Sequence, residues 1–546
     1  MSFTVTFNGE KKVFEKPIPV TDILGKGKDY ICAYVDGRVR ELTYLLDKDS
    51  VVVPLTKKDR DAKPTYEASL RFIVAMAMKR IHPELEIRFS YNVSRAIFMQ
   101  ILTPGYQMKP QLVNELKEEI DKIIKADYPL IRKIVSKEEA KKIFAKEGYQ
   151  DKIDILEYRP EKTCHIYECD GYKNYMYNRM VPSTGYIKEY ALKYYHPGII
   201  IQYPRPECNG EIPPFEDSPT FGRTLKRAHE WAVSTRFDSI VGINKRVEKD
   251  GDIDVITLGE QRHNRQLCEL GNLIEDDKEN IRLICIAGPS SSGKTTFANR
   301  LRIELLSRGI DPIRISMDDY YLPRDQAPKD ENGDPDLEAV DALDVELFNK
   351  NMADLIAGEE VDLPKFDFKV GHRVKGRTLR VPLNQPIIIE GIHALNDRMT
   401  ESIPQHQKFK IFIAPQAQIN IDSHNPLSLT DLRLLRRIVR DYQFRGASAL
   451  ETMSMWASVR KGEFKWIYNT QEGANYVFNS FLPEELCVMK KYAMPLLKEI
   501  ETENPYFPVA ERLIRMLKFF DDLPDQWVPC NSILREFIGG SCYADV

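Results

Sequence analysis

The spacing of apolar residues changes several times along the chain. Residues 3–7 and 12–14 flank the turn pair Asn8-Gly9, and residues 30–35 and 38–42 flank Asp36-Gly37, so both stretches predict β-hairpins. Residues 68–81 predict a helix, and apolar positions in residues 112–125 recur at helical spacing. Short, mostly apolar runs at 283–287, 386–389 and 410–414 predict strands of a buried sheet. The pattern thus moves from small β and α+β segments to an α/β segment.

These changes predict a multidomain protein of five segments. We expect a β-grasp domain at 1–62, an α+β domain at 63–203 and a Pro-rich linker with connecting helices at 204–278. Residues 288–295 have the G-x-x-x-x-G-K-[ST] spacing of a phosphate-binding loop. An α/β domain of P-loop NTPase fold, with a parallel sheet and helices on both faces, is therefore expected at 279–482, and a helical extension at 483–546. The extension ends near Gly539-Gly540-Ser541, which suits either an ordered loop or a cover over a site.

The most specific motif follows the apolar run at 283–287. Gly288 and Gly293 allow backbone angles that let successive amides point at phosphate oxygens, and the helix that follows adds partial positive charge. Lys294 can reach the β- and γ-phosphates, and Thr295 can ligate Mg²⁺. The alternative is a plain Gly/Ser turn, which this residue order disfavours. The predicted nucleotide-binding residues are Gly288, Ser290, Ser291, Ser292, Gly293, Lys294, Thr295 and Thr296.

Two later strands each end in carboxylates. Asp318 and Asp319 follow the apolar residues around Ile315, at the strand end where ligands bind in open α/β sheets. One of them can accept a proton from a hydroxyl or help to hold Mg²⁺, whereas an acidic turn is the plainer alternative. Glu390 ends the run at 386–389, in a Walker-B-like position suited to Mg²⁺.

An arginine-rich helix is predicted over residues 431–446. Arg433, Arg437 and Arg440 share one face, and Arg436 lies close to it. A solvated basic face is the usual explanation of such a run. Because acidic residues are few within this stretch, we expect a lid that clamps phosphates and screens charge in the transition state.

Composition narrows the function classes only a little. The chain has 546 residues and a net charge of −4, which argues against a general polyanion-binding surface. Its nine cysteines are scattered and odd in number, as expected of reduced thiols. No signal peptide or membrane span is apparent, so a cytoplasmic protein without a membrane partner is expected.

Together these motifs resemble the uridine kinase and phosphoribulokinase family over about residues 281–479. The resemblance is carried by the phosphate loop, residues 316–321, residues 364–368 with Arg373, residues 389–392, and the arginine pattern that begins at Arg433. It implies ATP and Mg²⁺ as cofactors, with Thr295 and Glu390 at the metal. It also implies that Asp318 is the general base, and that Lys294, Arg433, Arg436 and Arg437 are catalytic charges.

The same resemblance places a substrate side around the two Tyr residues that follow Asp319. The implied substrate residues are Asp318, Tyr320, Tyr321, Glu338, Asp341, Phe366, Asp367, His372, Arg373, Arg440 and Arg445. Two of these positions depart from the family. The carboxylate that contacts the sugar becomes Glu338 or is supplied by Asp341, and the residues that contact the base become Phe366 and Gly371, with His372 adjacent. These changes put uridine itself in question.

The first two segments resemble the N-terminal portion of threonyl-tRNA synthetase, a TGS-type β-grasp followed by an editing-type domain. The matching stretches are residues 77–83, 127–132, 136–140 and 181–185. The family's His and Cys positions correspond here to Ala68, Phe72, Met176 and Met180, none of which is a hard ligand or a proton shuttle. Editing chemistry is therefore not expected, and the methionines suit a core or pocket lining.

The whole layout resembles bacterial fusion proteins that act as nucleoside or uridine kinases. We expect transfer of the ATP γ-phosphate to a nucleoside 5′-hydroxyl, with a small molecule as the main partner. The alternatives are a kinase of the same fold for a sugar phosphate or another small hydroxyl compound, and an RNA-associated regulator that uses the nucleotide as a switch. A trans-editing hydrolase is disfavoured. The sequence leaves self-association open.

Overall fold

The predicted N-terminal hairpins form the first sheet. The structure is a computed structural model that describes residues 2–544 except residues 26, 330–332, 334 and 368–369. The elements here are β1 (Phe3–Phe7), β2 (Glu10–Phe14), β3 (Ile18–Pro19), α1 (Val20–Leu24), β4 (Tyr30–Val35), β5 (Arg38–Arg40), β6 (Leu45–Leu46) and β7 (Ser50–Thr56). Five strands lie in the order β2-β1-β7-β4-β5, and β1 pairs in parallel with β7.

The next segment is an α+β unit with two antiparallel sheets. Its elements are α2 (Lys63–Ile81), β8 (Ile87–Val93), β9 (Ala96–Ile101), α3 (Pro110–Ala126), β10 (Ile131–Ser136), α4 (Lys137–Glu147), α5 (Gln150–Tyr158), β11 (Thr163–Cys169), β12 (Tyr172–Asn174), β13 (Ala191–Tyr195) and β14 (Gly198–Gln202). The sheets have the orders β13-β14-β9-β8 and β10-β11-β12. One hydrophobic cluster runs from Phe3 to Tyr203, so this unit and the first sheet share a core.

Three helices link the two halves of the chain. They are α6 (Pro219–Thr235), α7 (Ile240–Asp250) and α8 (Asp252–Asp276). They are the connecting helices expected within residues 204–278. Among the residues that the structure describes, no helix is long and apolar enough to cross a lipid bilayer.

The C-terminal half contains a five-stranded parallel sheet. Its strands and hairpins are β15 (Leu283–Ala287), β16 (Ile313–Ser316), β17 (Glu360–Asp367), β18 (His372–Arg380), β19 (Ile387–Glu390), β20 (Lys408–Ala414), β21 (Asn420–Asp422), β22 (Asn425–Pro426) and β23 (Tyr476–Asn479). The sheet order is β16-β19-β15-β20-β23, with every adjacent pair parallel. β17 and β18 form a separate antiparallel hairpin.

Helices cover both faces of this sheet. They are α9 (Lys294–Leu306), α10 (Val345–Ile356), α11 (Leu429–Phe444), α12 (Ala449–Gly462), α13 (Glu485–Lys498), α14 (Phe507–Leu517) and α15 (Arg535–Ile538). Side chains of a strand alternate between faces. Accordingly, Ile284 and Ile286 pack in one core with α9 and α11, whereas Leu283 and Cys285 pack in another with α10. Because the strands are parallel, their carboxyl ends form one edge, where ligand sites of such sheets lie.

The two halves meet at the β21–β22 hairpin, residues 420–426, which precedes α11. The amide of Phe89 donates to the carbonyl oxygen of Ser423 at 2.8 Å, and Arg71 Nη1 donates to the carbonyl oxygen of His424 at 2.5 Å. The ring nitrogen Nδ1 of buried His424 lies 2.8 Å from Asn174 Nδ2. The hairpin of the C-terminal half is therefore bound inside the α+β unit of the N-terminal half.

Candidate active site

The phosphate loop connects β15 to α9 and is shaped by two glycines. Gly288 has no room for a side chain, because a Cβ atom there would lie 2.0 Å from the carbonyl oxygen of Ile413. Gly293 has a φ of +89°, in the left-handed region that favours glycine. The Lys294 ammonium donates to the carbonyl oxygens of Gly288 at 3.0 Å and Pro289 at 3.3 Å. The lysine therefore folds back against its own loop.

The hydroxyl groups of the loop differ in their partners. Ser290 Oγ accepts a hydrogen bond from Arg437 Nη1 at 2.8 Å. The hydroxyls of Ser291, Ser292 and Thr296 are buried, and within the described part of the chain they have no hydrogen-bond partner. Such groups are costly unless a ligand or water satisfies them. A loop with unsatisfied buried hydroxyls, a lysine and a helix start fits nucleotide phosphates.

Thr295 and Glu390, the two predicted Mg²⁺ ligands, come from neighbouring elements. Thr295 is the second residue of α9, and Glu390 is the last residue of β19, which lies beside β15 in the sheet. Glu390 is buried and accepts a hydrogen bond from Ser316 Oγ at 3.0 Å. Hydroxyl and carboxylate oxygens are the hard ligands that Mg²⁺ prefers, so this donor set fits the metal.

Asp318 and Glu390 are electrostatically coupled carboxylates beside Lys294. Burial raises the pKa of Asp318, and this effect exceeds the lowering by the positive charges of Lys294, Arg445 and Arg440. Burial and then the charge of Asp318 raise the pKa of Glu390 to about 7. Carboxylates that share a desolvated site resist simultaneous ionisation, and such perturbed groups are typical of functional sites. The pair suits a general base next to a metal ligand.

Glu338 is a third carboxylate of this site, and Asp341 is not part of it. Burial, followed by the charge of Glu463, raises the pKa of Glu338 to about 7, and Asp318 and Lys294 also act on it. The Asp341 carboxylate instead pairs with Arg398 at 2.7 Å, and both side chains are more than half exposed. Of the two positions expected to supply the sugar-contacting carboxylate, the geometry therefore favours Glu338 and excludes Asp341 in this conformation.

Two arginines of α11 support the phosphate loop rather than clamp a ligand. Arg433 Nη2 donates to the carbonyl oxygen of Ser290 at 2.9 Å, and its guanidinium forms a buried ion pair with Glu463. Arg436 Nη1 donates to the carbonyl oxygen of Ser291 at 3.3 Å and forms a buried ion pair with Glu485 at 2.5 Å.

The assignment of these two arginines to a phosphate clamp is therefore wrong for this conformation. The acidic partners, Glu463 and Glu485, lie outside the arginine stretch, on the segments after α12 and at the start of α13. Carboxylates that are distant in the sequence can thus neutralise a run of basic residues. Arg433 and Arg436 are positioning residues, because they act through the backbone of the loop.

The remaining arginines of the pattern approach the site itself. Arg437 donates to Ser290 Oγ and lies 3.2 Å from Asp441, whose carboxylate also pairs with Arg440 at 2.7 Å and Arg445 at 3.6 Å. The positive charges of Arg440 and Arg445 lower the pKa of Asp318 and so oppose the effect of its burial. The neighbouring charge of Arg440 lowers the pKa of Arg445 to about 10. Three arginines that pair with the buried Asp441 therefore lie at the edge of the site.

The two tyrosines after Asp319 have different roles. Tyr320 is fully buried, its ring contacts Phe348 at 4.8 Å, and its hydroxyl accepts from Asn351 Nδ2 at 3.0 Å. It is a core residue, so its assignment to the substrate side is wrong. Tyr321 is partly exposed, and its pKa is raised by burial and by the charges of Asp318 and Glu338. Tyr321 therefore borders the site.

The β17–β18 hairpin forms the expected acceptor-side strap, although residue 368 of the matched motif lies outside the described residues. Phe366 is buried beside Tyr321, with ring centroids 5.9 Å apart, and Asp367 pairs across the hairpin with exposed His372. Arg373 Nη1 contacts Asp344 at 2.9 Å, and its Nε donates to the carbonyl oxygen of Tyr321 at 2.9 Å. Arg373 thus fixes the strap and is engaged within the protein.

A residue that the motifs do not reveal also reaches the phosphate loop. The amide of Thr296 donates to Glu536 Oε2 at 3.1 Å. Glu536 lies on α15, beyond the region of family resemblance, and no local pattern marks it. Of the two alternatives left open for the segment around Gly539-Gly540, an ordered loop or a cover over a site, this contact favours the cover.

The four positions that correspond to editing residues form part of a packed core. Ala68, Phe72, Met176 and Met180 are buried within the same hydrophobic cluster. The Phe72 ring contacts Tyr172 at a centroid distance of 5.1 Å. The methionines therefore serve as packing residues, which was one of the two roles expected for them.

The sheet order, the phosphate loop and the converging carboxylates define a P-loop kinase. Residues 283–486 match the model of the "Phosphoribulokinase / Uridine kinase family". A solved structure described as "a Possible Uridine Kinase from Bacillus stearothermophilus" is similar at 20% sequence identity. The similarity covers 37% of this chain and 89% of that chain, with a TM-score of 0.25.

The N-terminal region matches threonine–tRNA ligases. The ligase of Symbiobacterium thermophilum is 30% identical over 166 residues, which are 30% of this chain and 25% of the ligase. The ligase of Clostridium kluyveri is 28% identical over 191 residues, which are 34% of this chain and 30% of that ligase. The chain thus spans only about a quarter to a third of the curated relatives that it matches.

Proposed function

We propose that this protein is an ATP- and Mg²⁺-dependent kinase that phosphorylates the 5′-hydroxyl of a nucleoside. The observation that carries the proposal is the position of Asp318. Its half-buried carboxylate follows β16 at the edge where the phosphate loop begins, and the charges of Lys294, Arg440 and Arg445 act on it. A base for an acceptor hydroxyl must lie beside the cations that stabilise the transferred phosphate, and Asp318 meets this requirement.

In the proposed reaction, each group of the site has one task. The Asp318 carboxylate accepts the proton of the attacking hydroxyl. Lys294 and the loop amides bind the β- and γ-phosphates, and Arg437, Arg440 and Arg445 offset the charge that develops on the transferred group. Thr295 and Glu390 would hold Mg²⁺, which supplies charge neutralisation between the phosphates when it is bound.

The acceptor side is compatible with a nucleoside. Glu338 provides a carboxyl group for a ribose hydroxyl, and Tyr321 with Phe366 provides aromatic surface for a base. Phe366 has no polar group to recognise a pyrimidine edge, so the preferred nucleoside need not be uridine. A sugar phosphate is less well supported, because Arg373, the arginine of the strap, is engaged by Asp344 and by backbone carbonyls.

A substrate panel tests this proposal. The full chain is incubated with Mg²⁺ and γ-labelled ATP together with ribonucleosides, deoxyribonucleosides, sugar phosphates or pantothenate-like acids. We expect label transfer to at least one nucleoside and none to the matching 5′-deoxy analogue, which lacks the acceptor hydroxyl. Faster transfer to a sugar phosphate would favour the same-fold alternative. Slow ATP hydrolysis with RNA binding that weakens steeply with salt would favour the nucleotide-switch alternative.

A further inference from the structure

The carboxylate of Glu536 lies at the amino end of α9, the helix that follows the phosphate loop. We propose that Glu536 competes with the nucleotide for the Thr296 amide and thereby sets the affinity of the site for ATP. The inference rests on the proposed use of this loop for ATP. It does not depend on which acceptor is phosphorylated.

The position of the carboxylate is that of a ligand anion. Amides at a helix start carry partial positive charge and are the usual binding groups for phosphate. The Thr296 amide donates to Glu536 Oε2 at 3.1 Å, and the negative charge of Glu536 also acts on Lys294. A phosphate and a carboxylate cannot accept from one amide at the same place. Glu536 therefore stands in for a phosphate oxygen in this conformation.

The segment around Glu536, residues 530–542, packs firmly against the rest of the protein. Ile533 packs so closely on the loop that a Cβ atom at Gly293 would lie 2.4 Å from its Cγ2 atom. Phe537 is fully buried, with the Arg436 guanidinium 4.9 Å from its ring centroid. The amide of Cys542 donates to the carbonyl oxygen of Cys530 at 3.0 Å, which closes the base of the segment.

The side chain of Glu536 can rotate while the rest of this segment stays in place. Glu536 is only half-buried, whereas Ile533, Leu534, Phe537 and Ile538 are buried. Displacing the whole segment would expose four apolar side chains to water, which is costly. Rotation of one carboxylate into solvent is the cheaper route to an open amide. Nucleotide binding thus displaces a side chain and leaves α15 in place.

The amide in question serves one particular phosphate. Lys294 reaches the β- and γ-phosphates of a nucleotide in this type of loop, and backbone amides also bind the α-phosphate. Because Thr296 lies two residues beyond Lys294 along α9, its amide is assigned to the α-phosphate. Glu536 then opposes a ligand that carries an α-phosphate more strongly than a ligand confined to the β and γ positions, on which it acts only through its charge near Lys294.

Direct binding measurements on the full chain test this inference. Calorimetric titrations with Mg²⁺-ATP and with Mg²⁺-pyrophosphate compare the native protein with Glu536→Gln. The control is Glu499→Gln, which neutralises an exposed carboxylate elsewhere in the C-terminal extension. We expect Glu536→Gln to bind ATP about fivefold to tenfold more tightly, since it removes an anion from the helix start. Pyrophosphate affinity should change by less than about twofold.

The outcomes separate this inference from the proposed function. Unchanged or weaker ATP binding by a folded Glu536→Gln protein would overturn the inference, and so would an equal gain for pyrophosphate. Thermal unfolding without ligand establishes that the variant is folded. Tighter ATP binding without phosphorylation of any nucleoside would leave the inference standing and defeat the proposed function, because ATP titration requires no acceptor.

Discussion

The ammonium group of Lys152 lies 2.5 Å from the carboxylate of Asp422, and both side chains are almost completely buried. Lys152 belongs to α5 of the N-terminal half, and Asp422 ends β21 in the β21–β22 hairpin that precedes the arginine-rich helix α11. Asn425 Nδ2 also donates to Asp422, at 2.8 Å. The N-terminal half, which is similar to part of threonine–tRNA ligases, thus holds the segment that leads into the arginine helix of the kinase half.

Breaking this ion pair should uncouple the two halves. We expect Lys152→Met to lower the free energy of unfolding by about 3–5 kcal/mol, because it leaves the Asp422 carboxylate buried without its cation. Lys245→Met is the matched control, since Lys245 pairs with Asp154 at 2.8 Å but is half exposed. Its loss should cost no more than about 1 kcal/mol. Equal losses in urea denaturation would contradict the role assigned to Lys152.

Substitutions of two adjacent arginines of α11 should give different phenotypes. Arg436→Met leaves Glu485 buried without its cation, so we expect a loss of about 3–5 kcal/mol in unfolding free energy. Arg437→Met removes a charge at the phosphate loop, so we expect a smaller loss of stability and a fall in kcat of about 100-fold. Thermal unfolding and steady-state kinetics distinguish the two. Normal stability of Arg436→Met would restore the clamp assignment for that residue.

Ionisation of Glu390 should lower the free energy of unfolding as pH rises. Its pKa is raised to about 7, from 4.5 in an unfolded chain. Between these values the folded protein holds a proton that the unfolded chain has lost, so stability falls with increasing pH. Without nucleotide and Mg²⁺, we therefore expect Glu390→Gln to gain stability over the native protein, from near zero at pH 4.5 to about 3 kcal/mol at pH 8.

The same Glu390→Gln variant should lose kinase activity, since an amide is a poorer Mg²⁺ ligand than a carboxylate. The control is Glu401→Gln, which replaces an exposed carboxylate and should follow the native stability profile. Denaturant titrations at several pH values provide the comparison. A stability difference that is constant with pH would show that Glu390 is ionised throughout this range.

The phosphate loop was predictable because its chemistry is local. The spacing from Gly288 to Thr295 fixes a turn, a lysine and a helix start within eight neighbouring residues. The carboxylates Asp318 and Glu390 were also placed correctly on the sheet edge, because apolar runs identify strands and parallel strands end on one side. The fold class and the match of residues 283–486 to the kinase family model agree with these features, whereas the expected domain boundaries stay predictions.

The errors concern contacts between distant parts of the chain. Arg433 pairs with Glu463, 30 residues later in the chain, and Arg436 pairs with Glu485, 49 residues later. The spacing of the arginines does not indicate either partner. Tyr320 ends a single 3₁₀ turn, Met317–Tyr320, in which its side chain is buried. The polar and aromatic residues of this stretch do not predict that turn. Glu536 lies 240 residues from Thr296, so only the tertiary structure identifies it.

Phosphate transfer from ATP to nucleosides by three proteins tests the central claim most directly: the native chain, Asp318→Asn and Asp341→Asn. Asp318→Asn keeps the shape of the proposed base and removes its capacity to accept a proton, whereas Asp341 is exposed and paired with Arg398. The account predicts equal nucleoside monophosphate formation by the native chain and Asp341→Asn, with a decrease of about 100-fold or more for Asp318→Asn. Near-normal turnover by Asp318→Asn, or no nucleoside phosphorylated by the native chain, would contradict it.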